Sequence, residues 1–350
     1  MGSLLRPPEL LRARAAYEAG QVTRAALRTQ EDEAILRALE RQRQVGLEIL
    51  SDGELRRGSW ITDMAEAVDG FVPVSRVVEW HGPAAAPEES TSRVVGARLR
   101  ARQRLTAHES AFLTEHAPGA FKMTVPAPSN FAVVSWRQGL SDTVYASRSE
   151  MLGEIVQIVR QEMEALIAEG VRYVQLDSPY YGAFLDQSWI RQNEIELPEV
   201  VAADSAALNG LRRPGITLAL HICRGNSRSR WLFEGGYDAI AEELFTTLPV
   251  DRFLLEYDDL EREGGFEPLR FVPTDKVVVL GLVTTKEPAL ESQDALRQRI
   301  DEAARYVPLE RLALSPQCGF ASVAAGNLVS EDDQWRKLAL VVETARAVWG

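Results

Sequence analysis

Short, almost uninterrupted apolar stretches, each ending in a polar residue, narrow the folds open to this chain to those with a buried parallel sheet. They end near Thr124 (AFKMTV), Asp177 (VRYVQLD), His221 (GITLALH), Glu256 (DRFLLE), Gly281 (KVVVLG) and Ser315 (ERLALS), and LEILSDGE is a seventh that runs into a loop. Apolar residues at every position mean that both faces of a strand are covered. Amphipathic runs such as SEMLGEIVQIVRQEMEALIAEG, YDAIAEELFTTL and DALRQRIDEAARYV lie between them, and EDDQWRKLALVVETARAVW closes the chain with an acidic first turn. Strands alternating with helices predict a parallel sheet, and the length of 350 residues suits a single (β/α)8 barrel of the α/β class spanning 1–350. The N-terminal part to about residue 46 reads as helix, with Gly46 as C-cap. Seven strands are one short of a closed barrel. Because GSLLRPPELL already reads as the loop and helix after a strand, the first strand is expected to be truncated or reduced to a stub. Residues 71–100 break the rhythm with two β-rich stretches, VPVSRVVEW and SRVVGARLR, around a Pro/Ala/Glu-rich turn, which predicts a β-hairpin inserted in a βα loop.

Composition bounds the function. A net charge of −12 argues against non-specific nucleic-acid binding, which needs a basic footprint. No apolar run approaches the roughly 20 residues of a membrane span, and no signal peptide opens the chain. Two cysteines make no disulfide framework, so the expected compartment is the reducing cytoplasm.

The reactive residues fall at strand ends, where barrels build their active sites. His221 and Cys223, in LALHICRGN, are two apart and so share a face of an extended segment. The other cysteine, Cys318, follows the apolar stretch of LALSPQCGF, and Glu256 ends FLLEYDD. Glu54, Asp177 and Lys286 sit at the same rim. Each signal alone has a plainer explanation: a buried cysteine is usually a small hydrophobe, a lone histidine is more often structural, and a strand-end carboxylate is often solvated. Asp258 and Asp259 are read as solvated competitors of Glu256, and His81, His108 and His116 as surface residues. Taken jointly, His221, Cys223, Glu256 and Cys318 make a tetrahedral zinc set. Two thiolates and a carboxylate leave such a centre electron-rich. It activates water poorly but lowers the pKa of a bound thiol from about 8.5 and leaves it nucleophilic. Alkyl transfer to a thiol is therefore preferred over hydrolysis.

The motifs GSLLRP, SDGELRR, VQLDSP, HICRGNSRS, FLLEYDD, VVLGLVTTK and SPQCGFAS make the chain resemble, over nearly its whole length, the cobalamin-independent methionine synthase family: its catalytic barrel and short single-barrel bacterial relatives. The resemblance implies zinc held by His221, Cys223, Glu256 and Cys318, and a homocysteine site at Ser3, Glu54 and Asp177, where two carboxylates suit an α-ammonium. Two departures stand out. The family's catalytic histidine has Lys286 as its nearest equivalent, a candidate to neutralise the leaving group or bind an acidic part of the donor. The tryptophan on which the family stacks its folate is missing from TVPAPSNF; Trp60, Tyr180 and Tyr181 are the candidate rings of a donor pocket. The expected function is zinc-dependent methyl or alkyl transfer to a small-molecule thiol, homocysteine being the favoured acceptor. The alternatives are thiol addition to an epoxide or other electrophile, as in the related epoxyalkane:coenzyme M transferases, and a non-catalytic zinc-stabilised barrel.

Overall fold

The computed structural model describes residues 2–83, 85–185, 190 and 193–350. Its centre is a six-stranded parallel sheet: β3 (Met123–Pro126), β4 (Tyr173–Asp177), β5 (Thr217–Ile222), β6 (Arg252–Glu256), β7 (Val277–Val283) and β8 (Leu312–Pro316), paired in chain order. Helices Arg148–Ala168, Leu197–Leu208, Ala241–Thr247 and Gln293–Ala303 form crossovers, and Glu331–Trp349 follows β8. Every residue of β3 and β4 is buried, including the polar Thr124, Gln175 and Asp177, as expected of strands covered on both faces. The final helix begins with a reciprocal capping box between Ser330 and Asp333. The helix Arg24–Val45 starts on Thr23, whose side chain accepts from the Ala26 N–H, and ends on Gly46 in the left-handed region (φ 93°).

The barrel-like sheet has six strands where seven were expected, and the difference lies at its start. LEILSDGE forms no strand, only a parallel bridge from Leu50 to Phe121, with Leu50 N donating to Ala120 O at 2.8 Å. The reason is local competition. The side-chain amide of Gln42 takes both backbone groups of Ser51, donating to its carbonyl at 2.8 Å and accepting from its N–H at 3.0 Å. Gly53 and Glu54 then turn the chain with positive φ. Residues 2–6 form no strand either. They connect the two outer sides of the sheet: Leu4 N donates to Gly53 O at 2.9 Å, and Phe320 N donates to Ser3 O at 2.9 Å.

A hairpin precedes the sheet. β1 (Val68–Val78) and β2 (Glu88–Ala101) pair antiparallel, with a register shift between Asp69 and Phe71. Gly70 sits at that shift with φ 107°, where a Cβ would come within 2.8 Å of Ala97 O. The hairpin is anchored on both sides. Val95 N donates to Ser135 O at 2.8 Å, beyond β3, and His81 exchanges two backbone hydrogen bonds with Trp231, beyond β5. It therefore roofs the C-terminal ends of the strands.

The loop after Leu50 is fixed by a buried ion pair. Arg57 Nε donates to Glu109 Oε1 at 2.9 Å, and its guanidinium also reaches Thr124 Oγ1 and Thr124 O at 3.0 Å. Both partners are almost fully buried. Breaking a buried pair strands a charge and costs about 3–5 kcal/mol. Glu109→Ala should lower the unfolding free energy by that amount, read as a lower denaturant midpoint at unchanged slope.

Candidate metal centre and substrate cavity

His221 is the penultimate–fifth position of β5, Cys223 lies just beyond that strand, and Cys318 lies two residues beyond β8. One ligand atom from each lies within 4.8 Å of the other two, and all three residues are buried. His221 Nε2 is 3.7 Å from Cys318 Sγ, while its Nδ1 faces Leu254 O at 3.3 Å. That carbonyl can only accept, so it favours the proton on Nδ1 and leaves the Nε2 lone pair facing the cysteines, able to accept from a thiol or bind a metal. The two sulfurs share a hydrogen bond, which pushes the Cys223 thiol up, helped by burial, and holds Cys318 well below the ordinary thiol value.

Glu256 stands beside this cluster but not within it. Its fully buried carboxylate accepts from Arg224 N at 2.8 Å and from the Gln317 amide. Burial, opposed first by Lys286, pushes it up to about 7. Asp258, expected to be solvated, is instead buried against Arg262, Oδ1 to Nη2 at 2.6 Å. Asp259 is half-exposed and caps the turn Leu260–Glu263. Neither competes for the cluster.

Ser3, Glu54 and Asp177 line a cavity of about 420 Å³ together with His221, Cys223 and Cys318. Ser3 reaches it because residue 319 is glycine: a Cβ there would lie 1.9 Å from Ser3 Oγ. Asp177, the last residue of β4, accepts from Gln175 Nε2 at 2.6 Å. Glu54 is held in the left-handed region (φ 54°), which costs an L-residue roughly 1–2 kcal/mol. Its Oε1 accepts from Thr124 Oγ1 at 3.3 Å, and its buried Oε2 has no partner among the described residues. Burial raises its pKa, Arg57 opposing and Asp177 reinforcing.

The expected ring residues divide. Trp60 and Tyr180 line the cavity, their rings 6.5 Å apart. Tyr181 does not: it is fully buried, its hydroxyl donating to Asp204 Oδ2 at 2.7 Å. The two tyrosines sit in a tight 3-10 turn, Pro179–Leu185, where successive side chains point to different sides. Lys286 is also buried, set behind the cavity wall with Nζ 3.3 Å from Asn226 Oδ1. Phe131, from the stretch lacking tryptophan, does reach the cavity. So do Arg76 and Trp80 of the hairpin, which the sequence reading passed over. Their signal was the alternation Val74-Arg76-Val78-Trp80, which marks one face of the hairpin.

Residues 1–345 match the family described as "Cobalamin-independent synthase, Catalytic domain". The chain belongs to that family. Members of this methionine-synthase-like methyltransferase family resemble it at several distances. The Bacillus subtilis (strain 168) "Uncharacterized protein YxjG" is 37% identical, the match covering 100% of this chain and 93% of that protein. The methionine synthase of Pyrococcus furiosus is 22% identical over 99% of this chain and 91% of its own. Among solved structures, the putative vitamin-B12 independent methionine synthase of Listeria monocytogenes superposes with a TM-score of 0.75 at 27% identity, covering 100% of this chain and 96% of that one. The six-stranded parallel sheet thus sits in a fold shared with methionine-synthase-like proteins.

Tyr181→Phe tests the division of the rings. It leaves Asp204 Oδ2 without its buried donor, which costs about 1–3 kcal/mol. A lower melting temperature with unchanged affinity for any cavity ligand is the expected result.

Proposed function

We propose that the chain is a single catalytic barrel, its sheet completed by residues 2–6 and 47–53, that transfers a methyl or other alkyl group to a small-molecule thiol, with homocysteine as acceptor. The observation that carries this reading is the convergence of His221, Cys223 and Cys318 on the wall of a cavity that also holds Glu54 and Asp177. The donor set fits zinc. It offers two sulfurs and an imidazole nitrogen whose orientation the Leu254 carbonyl fixes, and Glu256, beside the cluster, would supply the fourth donor. A zinc ion there supplies Lewis acidity that favours the thiolate form of the acceptor.

The remaining work falls to the chain's own residues. Glu54, with its unpaired buried oxygen, and Asp177 bind the acceptor's α-ammonium; the charge-assisted bonds orient the sulfur toward the donor. An entering amine adds a hydrogen-bond donor for the buried Glu54 Oε2, which favours an amino-thiol over a simple thiol. Trp60, Tyr180 and Phe131 form an apolar wall that excludes water from the displacement. In the reaction a sulfur–carbon bond forms as the bond from that carbon to the donor's leaving atom breaks. The electron pair stays with the leaving atom, and the thiol proton is released. Two cysteines with no disulfide between them support the reducing cytoplasm as the compartment.

Two measurements test this reading. The purified protein should carry one zinc per chain and form methionine from homocysteine and a methyltetrahydrofolate donor. Cys223→Ser and Cys318→Ser should lose both properties while circular dichroism stays unchanged, because the cluster lies at the rim and not in the core. Full zinc occupancy in both variants would reject the ligand assignment. A zinc-loaded protein that binds homocysteine yet forms no methionine would point to another electrophile. For the amine site, Asp177→Asn should cut kcat/KM for the amino-thiol about tenfold or more, consistent with a charged hydrogen bond of roughly 1.5–3 kcal/mol, with zinc content intact. Equal losses for thiols with and without an α-amine would contradict it.

A further inference from the structure

Resting on the reading of Glu54 and Asp177 as the amine site, we infer that Lys122, the residue before β3, is a positioning residue: through Gln175 it holds the Asp177 carboxylate ready for the acceptor's ammonium. Lys122 and Gln175 interrupt the apolar runs AFKMTV and VRYVQLD, and they meet. Lys122 Nζ donates to Gln175 Oε1 at 2.8 Å. An ammonium can only donate, so it takes the oxygen end of the amide. The nitrogen end is thereby turned to Asp177, and Gln175 Nε2 donates to Asp177 Oδ1 at 2.6 Å. Gln175 is fully buried, so loss of Lys122 would remove that partner from its oxygen away from water.

The strands dictate this arrangement. β3 and β4 run in parallel register, Thr124 opposite Gln175 and Pro126 opposite Asp177. Residues two apart share a strand face, which groups Lys122 with Thr124 and Gln175 with Asp177. β3 thus reaches both carboxylates of the amine site: Glu54 through Thr124 Oγ1, and Asp177 through the Lys122–Gln175 pair. Asp177 lines the substrate cavity, whereas Lys122 lines a second cavity of about 420 Å³ together with Tyr173 and Arg252, the first residues of β4 and β6. Lys122 therefore acts from beneath and leaves the space above Asp177 to the ligand. Burial pushes its ammonium down to about 8, and Asp177, then Glu54, oppose the fall, so it carries charge at neutral pH. Asp177 and Glu54 repel one another, and a fixed cation below offsets that repulsion.

Binding, without turnover, tests this. Homocysteine and γ-mercaptobutyrate, the same thiol lacking the α-amine, are titrated calorimetrically into the zinc-loaded wild type, Lys122→Met, Lys122→Arg and Gln175→Leu. The wild type should prefer homocysteine. Lys122→Met and Gln175→Leu should each weaken homocysteine binding about tenfold or more, as the loss of a well-placed charge-assisted bond requires, and leave γ-mercaptobutyrate unchanged. Lys122→Arg keeps charge and donor and has the second cavity to extend into, so it should recover part of the loss. Lys122→Met combined with Asp177→Asn should bind homocysteine no more weakly than Asp177→Asn alone, because residues that act through one carboxylate are not additive. Additive losses, equal losses for both thiols, or unchanged homocysteine affinity in Lys122→Met overturn the inference. Should Lys122→Met fail to fold, Gln175→Leu carries the same comparisons, alone and with Asp177→Asn. A wild type without preference for homocysteine rejects the amine site itself, whereas a preference that survives Lys122→Met rejects only the role of Lys122.

Discussion

The register of three adjacent parallel strands decides whether there is a site at all. β4 places Asp177 opposite His221 of β5, and β5 places His221 opposite Leu254 of β6. The first pairing brings a carboxylate and an imidazole to one rim; the second supplies the carbonyl that orients the imidazole. Ser178 N then donates to His221 O at 2.8 Å, locking the end of the ladder. A slip of one residue in either pairing would turn His221 to the opposite face. The placement of Asp177 and His221 on one rim thus depends on a few backbone hydrogen bonds between adjacent strands.

Much of this was legible because burial on both faces writes itself into sequence as an unbroken apolar run, and the first reactive residue after each run marks the rim. His221, Cys223 and Cys318 were readable for that reason. The first expected strand was not, because the decision lies with Gln42, a side chain on a helix that offers Ser51 a better partner than a strand edge. Glu256 was readable as a rim residue, but its commitment to Arg224 N–H depends on how one loop passes another. Tyr180 and Tyr181 are chemically alike, and only the pitch of a 3-10 turn separates a cavity wall from the core. Asp258 looked solvated because its partner, Arg262, lies on a turn whose direction no local pattern reveals.

Electrostatic cost is concentrated where ligands are expected. Asp52, Glu54 and Glu256 are all buried, and burial pushes Asp52 up to about 7. Around them the chain spends arginine freely: Arg6 donates to Glu54 O at 3.0 Å and Arg57 O at 2.9 Å, and Arg57 in turn holds Glu109. This scaffold satisfies backbone carbonyls, while Glu54 Oε2 has no hydrogen-bond partner among the described residues.

The roof hairpin is tied down by main-chain bonds, from His81 to Trp231 and from Val95 to Ser135. Such ties do not depend on which side chains the hairpin carries. Its inward row can therefore change residue by residue while its seat over the strand ends stays the same. This makes the hairpin an interchangeable cassette: descendants of one barrel could retune what enters from above while keeping the His221, Cys223 and Cys318 cluster below unaltered.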